Sequence, residues 1–134
     1  MKNAKIIRFK VMKDDRGSLI PIEACVDLPF EIKRVYYITD VPTGVVRGGH
    51  AHKNLMQVLV CVKGSVKINI DNGEEKETFI LSNNSTALFM DSLVWCEMLE
   101  FTDDAVVLAL VSEHYDKLDY INNYDEFLSL VKGV

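Results

Sequence analysis

The segment Arg47-Gly48-Gly49-His50-Ala51-His52-Lys53 stands between two apolar segments, residues 32–39 and 56–62, that have the composition of β-strands. Side chains alternate between the two faces of a strand, so His50 and His52 point to the same side. Two imidazoles on one face can begin a metal site, and they can equally serve as a paired acid and base. What the protein does depends on which of the two this pair is.

Short β-type segments separated by turn residues account for most of the chain. Asn72-Gly73 supplies the positive φ angles of a tight hairpin turn. The nearly continuous apolar run 56–62 predicts a strand buried on both faces. The other predicted strands are residues 5–11, 18–22, 32–39, 65–70, 76–81, 86–90, 94–98 and 105–111.

A single helix is predicted near the end of the chain, at residues 122–131. Asn122 or Asn123 caps it, and Phe127, Leu130 and Val131 form its apolar face. Many short, evenly spaced strands followed by one helix predict an all-β fold, a barrel or sandwich of the jelly-roll kind with a short C-terminal helix. Nothing in the sequence marks a linker, so we predict one domain, residues 1–134.

Composition excludes several classes of function. The net charge of −5, with no basic run, argues against nucleic acid as a partner. The longest apolar run, residues 105–111, is far shorter than the ~20 residues that cross a bilayer, so no membrane association is predicted. Cys25, Cys61 and Cys96 form no CxxC pair and predict reduced thiols in a cytoplasmic protein.

The two histidines belong to a wider pattern of spacings. Gly44 precedes His50 by six positions, Gln57 follows His52 by five, and Gly64 follows Gln57 by seven. This pattern resembles the first signature motif of the cupin superfamily, small jelly-roll barrels whose two histidines face the barrel interior. The resemblance implies a cupin fold for this chain.

The same comparison argues against a metal. Metal-binding cupins have a glutamate where this chain has Gln57, and their last ligand is a histidine in a second motif. The matching segment here, residues 89–95, places Trp95 at that position. Two imidazoles and a neutral amide are a weak donor set, so we predict no metal and no other cofactor. A metal-dependent cupin oxygenase with Gln57 as a weak ligand is the alternative.

Three further segments, taken with the histidine segment, narrow the resemblance. Asp14-Asp15-Arg16-Gly17, Pro29-Phe30-Glu31-Ile32-Lys33-Arg34-Val35-Tyr36-Tyr37-Ile38, the histidine segment and Tyr115-Asp116-Lys117-Leu118-Asp119-Tyr120-Ile121 look like the nucleotide-sugar 3,4-ketoisomerases, in matching order. The resemblance implies a metal-free enzyme that moves the carbonyl of dTDP-4-keto-6-deoxyglucose from C4 to C3, ahead of transamination to a 3-amino sugar. It also implies a homodimer, in some members with exchanged N-terminal strands.

This reaction needs a base, an acid and a group that stabilises the oxyanion. We expect His52 to take the C3 proton while His50 handles an oxygen or the returning proton, although the sequence does not decide between the two. In the strand 32–38 the face of Ile32 and Ile38 also carries Tyr36, whose hydroxyl could donate to the enediolate. Tyr37 takes that role if the register is shifted by one residue.

The substrate's diphosphate needs cations. Arg34 and Arg47 are the predicted ligands because guanidinium binds oxyanions in a bidentate fork, and Arg16 joins them from the first turn or from a neighbouring subunit. Trp95 is predicted to stack on the sugar or base. The resemblance implies a basic residue, His or Arg, after this tryptophan. Cys96 stands there instead, which leaves the C4 configuration of the product open.

A non-catalytic cupin that binds a nucleotide sugar as a sensor is the second alternative. It would use the same arginines and aromatic residues, and only turnover separates it from an isomerase.

Overall fold

The computed structural model describes residues 1–133. It contains twelve strands, one 3₁₀ turn at Lys117–Asp119 and one helix, α1, at Tyr124–Lys132. The strands are β1 Ala4–Arg8, β2 Met12–Asp14, β3 Gly17–Leu19, β4 Arg34–Ile38, β5 Arg47–His52, β6 Gln57–Lys63, β7 Val66–Asp71, β8 Lys76–Leu81, β9 Thr86–Met90, β10 Trp95–Leu99, β11 Val106–Val111 and β12 Tyr120–Ile121. The prediction of an all-β protein with a short C-terminal helix is confirmed.

Two five-stranded antiparallel sheets form the body of the molecule. The first has the order β1-β9-β6-β11-β4, and the second has the order β12-β5-β10-β7-β8. The β2–β3 hairpin is a separate two-stranded sheet. Buried side chains from both sheets make one apolar interior, in which Leu59 and Leu88 of the first sheet join Ile68 and Ile70 of the second.

The structure shows the alternating burial predicted for residues 65–70 and the burial on both faces predicted for residues 56–62. In β7, Val66, Ile68 and Ile70 are buried while the residues between them are partly exposed. In β6, residues 57–61 are all buried, as the continuous apolar run predicted. Its outward side chains pack against Leu28 and Phe30 from the long segment between β3 and β4, which covers the first sheet.

Helix α1 begins where the sequence predicts. Asn123 is its N-cap, and the side chain accepts a hydrogen bond from the Glu126 N–H at 2.9 Å. Phe127 is fully buried, but Leu130 is 47% exposed, so its placement on the buried face is wrong. Leu130 lies about 110° from the centre of the face formed by Tyr124, Phe127, Leu128 and Val131, at about 3.6 residues per turn. No helix within the described residues is long and apolar enough to cross a membrane.

Candidate active site

One end of the interior opens into a cavity of about 340 Å³, a volume within the usual range for small-ligand pockets. β4 contributes Arg34 and Tyr36, and β5 contributes Arg47 and His50. β10 contributes Cys96, and the segment after β11 contributes Tyr115 and Tyr120. Gln57 of β6 also lines it, so residues from four strands and a C-terminal segment converge on one polar opening.

The two histidines share a face of β5, as predicted, but their surroundings differ. His50 is partly exposed and lines the cavity, whereas His52 is only 4% exposed. Their ring centroids are 5.1 Å apart and the rings are nearly perpendicular, at 86°. Only His50 lies directly at the cavity wall.

Asp119 is the partner that the sequence analysis missed. Its Oδ2 lies 3.0 Å from His52 Nδ1, and its Oδ1 accepts a hydrogen bond from the Asn54 N–H at 2.7 Å. The neighbouring Tyr120 packs its ring at 4.5 Å from His52 and 5.0 Å from His50, centroid to centroid. Strand β12 brings both residues beside β5.

Burial keeps both imidazoles neutral. It lowers the pKa of His50, an effect that a hydrogen bond to the Gly48 backbone partly opposes. Burial, followed by the proximity of His50, lowers the pKa of His52 to about 4, and the bond to Asp119 opposes this only in part. Near neutral pH each ring is therefore uncharged and can accept a proton.

Arg34 is a cation available to a ligand. Its guanidinium carbon lies 5.3 Å from the ring centroid of Tyr36 and 5.6 Å from that of Tyr115. Within residues 1–133 its buried Nε has no hydrogen-bond partner. A buried donor of this kind is costly unless something binds it, so Arg34 can bind an anion that enters the cavity.

Tyr36 and Cys96 supply uncharged groups to the same cavity. Burial is the largest cause that raises the pKa of Tyr36, so its hydroxyl stays protonated and can donate a hydrogen bond. Burial raises the pKa of the Cys96 thiol to about 12, which keeps it neutral. Cys96 pairs with His50 across the β5–β10 ladder, next to a bulge.

Trp95 does not lie with these residues. In β10 the buried, inward positions are Cys96 and Met98, so Trp95 faces the opposite side. There its ring packs against Tyr124 and Phe127 at centroid distances of 5.3 and 5.7 Å. The motif match assigned the inward position of β10 to Trp95, whereas Cys96 occupies it. A shift of one residue along a strand moves a side chain to the other face of the sheet.

Two other predicted ligands also lie elsewhere in this chain. Tyr37 is 70% exposed on the outer face of β4, because Tyr36 occupies the inward phase. Arg16 is at the β2–β3 hairpin, with its side chain 87% exposed and paired with Asp14 at 2.5 Å. Neither lines the cavity.

Within the described part of the chain, the side chains beside the two histidines include an amide and no free carboxylate. Gln57 lines the cavity where a metal-binding cupin has a carboxylate, and His52 directs one nitrogen to Asp119. Among residues 1–133 no group of three or more His, Cys, Asp and Glu side chains is arranged to hold a metal ion. The arrangement brings a neutral imidazole that can accept a proton, His50, beside a hydroxyl that can donate a hydrogen bond to an oxyanion, Tyr36, and a cation, Arg34.

Known proteins resemble this chain over nearly its whole length. The family model described as FdtA, WxcM-like, C-terminal matches residues 2–132. The TDP-4-oxo-6-deoxy-α-D-glucose 3,4-oxoisomerase of Aneurinibacillus thermoaerophilus is 46% identical over 130 residues, which is 97% of this chain and 94% of that protein.

Solved structures of 3,4-ketoisomerases also resemble this chain over nearly its whole length. A histidine-to-asparagine variant of the 3,4-ketoisomerase QdtA from Thermoanaerobacterium thermosaccharolyticum, in complex with TDP-4-keto-6-deoxyglucose, superimposes with a TM-score of 0.96 at 46% identity, covering 99% of this chain and 96% of that one. The TDP-quinovose 3,4-ketoisomerase WlaRB from Campylobacter jejuni gives 0.92 at 45% identity, over 96% of this chain and 98% of that one.

Proposed function

Because the chain belongs to the FdtA family, whose relatives described above are 3,4-ketoisomerases, we propose that it moves the keto group of dTDP-4-keto-6-deoxyglucose from C4 to C3. The observation that carries this proposal is the convergence of a neutral His50, the Tyr36 hydroxyl and the unpartnered Arg34 Nε on one cavity of about 340 Å³. A base, a hydrogen-bond donor and a cation are the parts that the reaction requires.

The proposed reaction passes through an enediolate. His50 takes the proton from C3, and the C3–H electrons form the C3–C4 double bond while O4 receives the negative charge. Tyr36 donates a hydrogen bond to this oxygen. A proton that exchanges with solvent is then delivered to C4, and His50 releases the proton that it took. The hydroxyl proton on O3 is transferred to O4, and O3 becomes the carbonyl, so the product is an isomer of the substrate.

The geometry favours His50 over His52 as the base, the reverse of the sequence-based expectation. His50 lines the cavity, whereas His52 is 4% exposed and directs Nδ1 towards Asp119. A base must lie within hydrogen-bond reach of the proton that it removes, and only His50 is at the wall.

The arginines are the proposed diphosphate ligands. Arg47 lines the cavity and is exposed, so a diphosphate can approach it, and Arg34, the first residue of β4, lies against Tyr36. Both can bind oxyanions through two parallel N–H bonds.

We also propose a homodimer, for which exchange of the N-terminal strands is one possible arrangement. The β2–β3 hairpin exposes Met12 and Leu19 by 50% and 59%, and the edge strand β4 exposes Val35 and Tyr37 by 53% and 70%. Exchange of the hairpin would carry Arg16 towards a partner's cavity. Light scattering is expected to give twice the chain mass, and a monomer mass at micromolar concentration would contradict the dimer.

The proposed setting is the cytoplasm, in a pathway to a dTDP-3-amino-3,6-dideoxyhexose. Three free thiols, Cys25, Cys61 and Cys96, support a reducing compartment. A 3-keto sugar is the carbonyl compound from which transamination makes a 3-amino sugar.

The experiment that tests this function is turnover in D₂O followed by NMR. We expect the 3-keto product to appear with deuterium at C4, and the coupling constants of that position give its configuration. The matched control is the double variant His50→Asn/His52→Asn, which should bind dTDP but show neither product nor deuterium. Binding without exchange in the unmodified protein would favour the sensor, and full activity in the double variant would exclude the mechanism.

Replacement of Trp95 by phenylalanine separates its predicted role from its observed position. Since its ring packs against Tyr124 and Phe127, we expect kcat and KM within about twofold of the original, with a loss of about 1 kcal/mol of stability. Steady-state kinetics and urea unfolding measure the two effects. A large rise in KM at unchanged stability would restore Trp95 as a substrate ligand.

A further inference from the structure

We infer that Asp119 is a positioning residue for the isomerisation: it holds His52 with its proton on Nδ1, so that the lone pair of Nε2 faces away from Asp119. This role rests on the proposed function, but the protonation pattern itself does not require substrate. No motif in the sequence assigns Asp119 a role.

The first step of the argument is hydrogen-bond accounting. An ionised carboxylate can only accept, and Asp119 accepts at both oxygens, from the Asn54 N–H at 2.7 Å and from His52 Nδ1 at 3.0 Å. Because His52 Nδ1 must donate, its Nε2 carries the lone pair in the neutral ring. The backbone carbonyl of Asp119 also accepts a hydrogen bond from the Lys53 N–H at 2.9 Å. This bond holds the backbone that carries the carboxylate beside the end of β5.

The second step concerns what the fixed ring faces. The His52 ring stands nearly perpendicular to that of His50, at 5.1 Å between centroids, and Tyr120 packs against both. The groups that act on the charge of His52 are His50, Asp119 and Arg34. A ring held in one tautomer and orientation gives His50 an unchanging packing partner, with its edge against the neighbouring ring, so that His50 keeps one position as it takes the proton.

Asp119→Asn is the informative variant. Its amide oxygen can still accept from Asn54, but the amide group turned to His52 donates, so the ring must accept at Nδ1 and carry its proton on Nε2. We expect kcat to fall on the order of 10²-fold, the effect of a small misplacement of catalytic groups, with KM within about threefold.

The matched control is Asp116→Asn, three residues earlier in the same segment. Asp116 is exposed and caps the 3₁₀ turn by accepting from the Leu118 N–H at 3.0 Å, a role that asparagine can fill. It removes the same charge without touching His52. We expect its kcat to stay within about twofold of the original.

The direct readout is the ¹⁵N NMR spectrum of the imidazole rings. The unmodified protein should show His52 protonated at Nδ1, and Asp119→Asn should show the proton at Nε2. His52 protonated at Nε2 in the unmodified protein overturns the inference, whether or not the variant folds. A folded Asp119→Asn with unchanged kcat also overturns it. An unmodified protein that shows the Nδ1 proton but does not turn over the sugar refutes the proposed function instead.

Discussion

Replacing His50 by asparagine is expected to lower kcat on the order of 10³-fold, with little change in the affinity for dTDP. His50 is the neutral imidazole at the cavity wall, and a positioned general base contributes about 10²–10⁴-fold. Asparagine keeps a polar group of similar reach but has no basic nitrogen. NMR-monitored turnover gives kcat, and calorimetric titration with dTDP shows whether the binding site is intact.

His114→Asn is the matched control, because His114 is exposed and does not line the cavity. Its turnover should be unchanged. The pH profile provides a further check: since burial lowers the pKa of His50, the acid limb of kcat/KM should lie below the ordinary histidine value of about 6.5. An acid limb above that value, or a His50→Asn variant with more than a tenth of the original kcat, would contradict His50 as the base.

Gly48→Ala is expected to cost about 2–3 kcal/mol of stability and to reduce turnover as well. Gly48 has φ +87°, and a Cβ there would lie 2.7 Å from the carbonyl oxygen of Cys96. The substitution adds backbone strain to a clash with another backbone atom, so the β5–β10 pair must move apart beside His50. Urea unfolding measures the stability, and steady-state kinetics measures the displacement of the base.

Gly49→Ala is the matched control, because it introduces the backbone strain without the clash. Gly49 also has positive φ, at +74°, but a Cβ there meets nothing within 4 Å. We expect it to lose only about 1–2 kcal/mol, the cost of the left-handed conformation. Equal losses in the two variants would show that the contact with Cys96 relaxes freely and that the strand pair is not rigid.

Strand alternation predicted the parts of the site that lie within one strand. His50 and His52 share a face of β5, and Arg34 and Tyr36 share the inward face of β4. These relations depend only on the two-residue period of an extended chain. The same rule gave the wrong side for Trp95, because the motif match set the phase of β10 one residue early. The two-residue alternation predicts which side chains of a strand share a face, but it does not predict which of the two faces points to the interior.

The contacts of Asp119 and Tyr120 were beyond prediction for a different reason. Asp119 pairs with a histidine 67 positions earlier in the chain. In the local sequence Asp116 and Asp119 are equivalent acidic residues of one polar segment, yet the first is exposed and the second is buried. Their difference arises only when β12 pairs with β5.

The burial of His52 also has a consequence for the behaviour of the whole protein in acid. Its pKa is about 4 in the folded state, against about 6.5 for an unfolded histidine. As pH falls from about 6.5 to 4, the unfolded chain binds a proton that the folded chain does not, so stability is lost, by up to about 3 kcal/mol. Urea midpoints should therefore decrease from pH 7 to pH 5, and equal midpoints would contradict this. The packing that keeps a neutral imidazole against His50 makes the protein labile to acid.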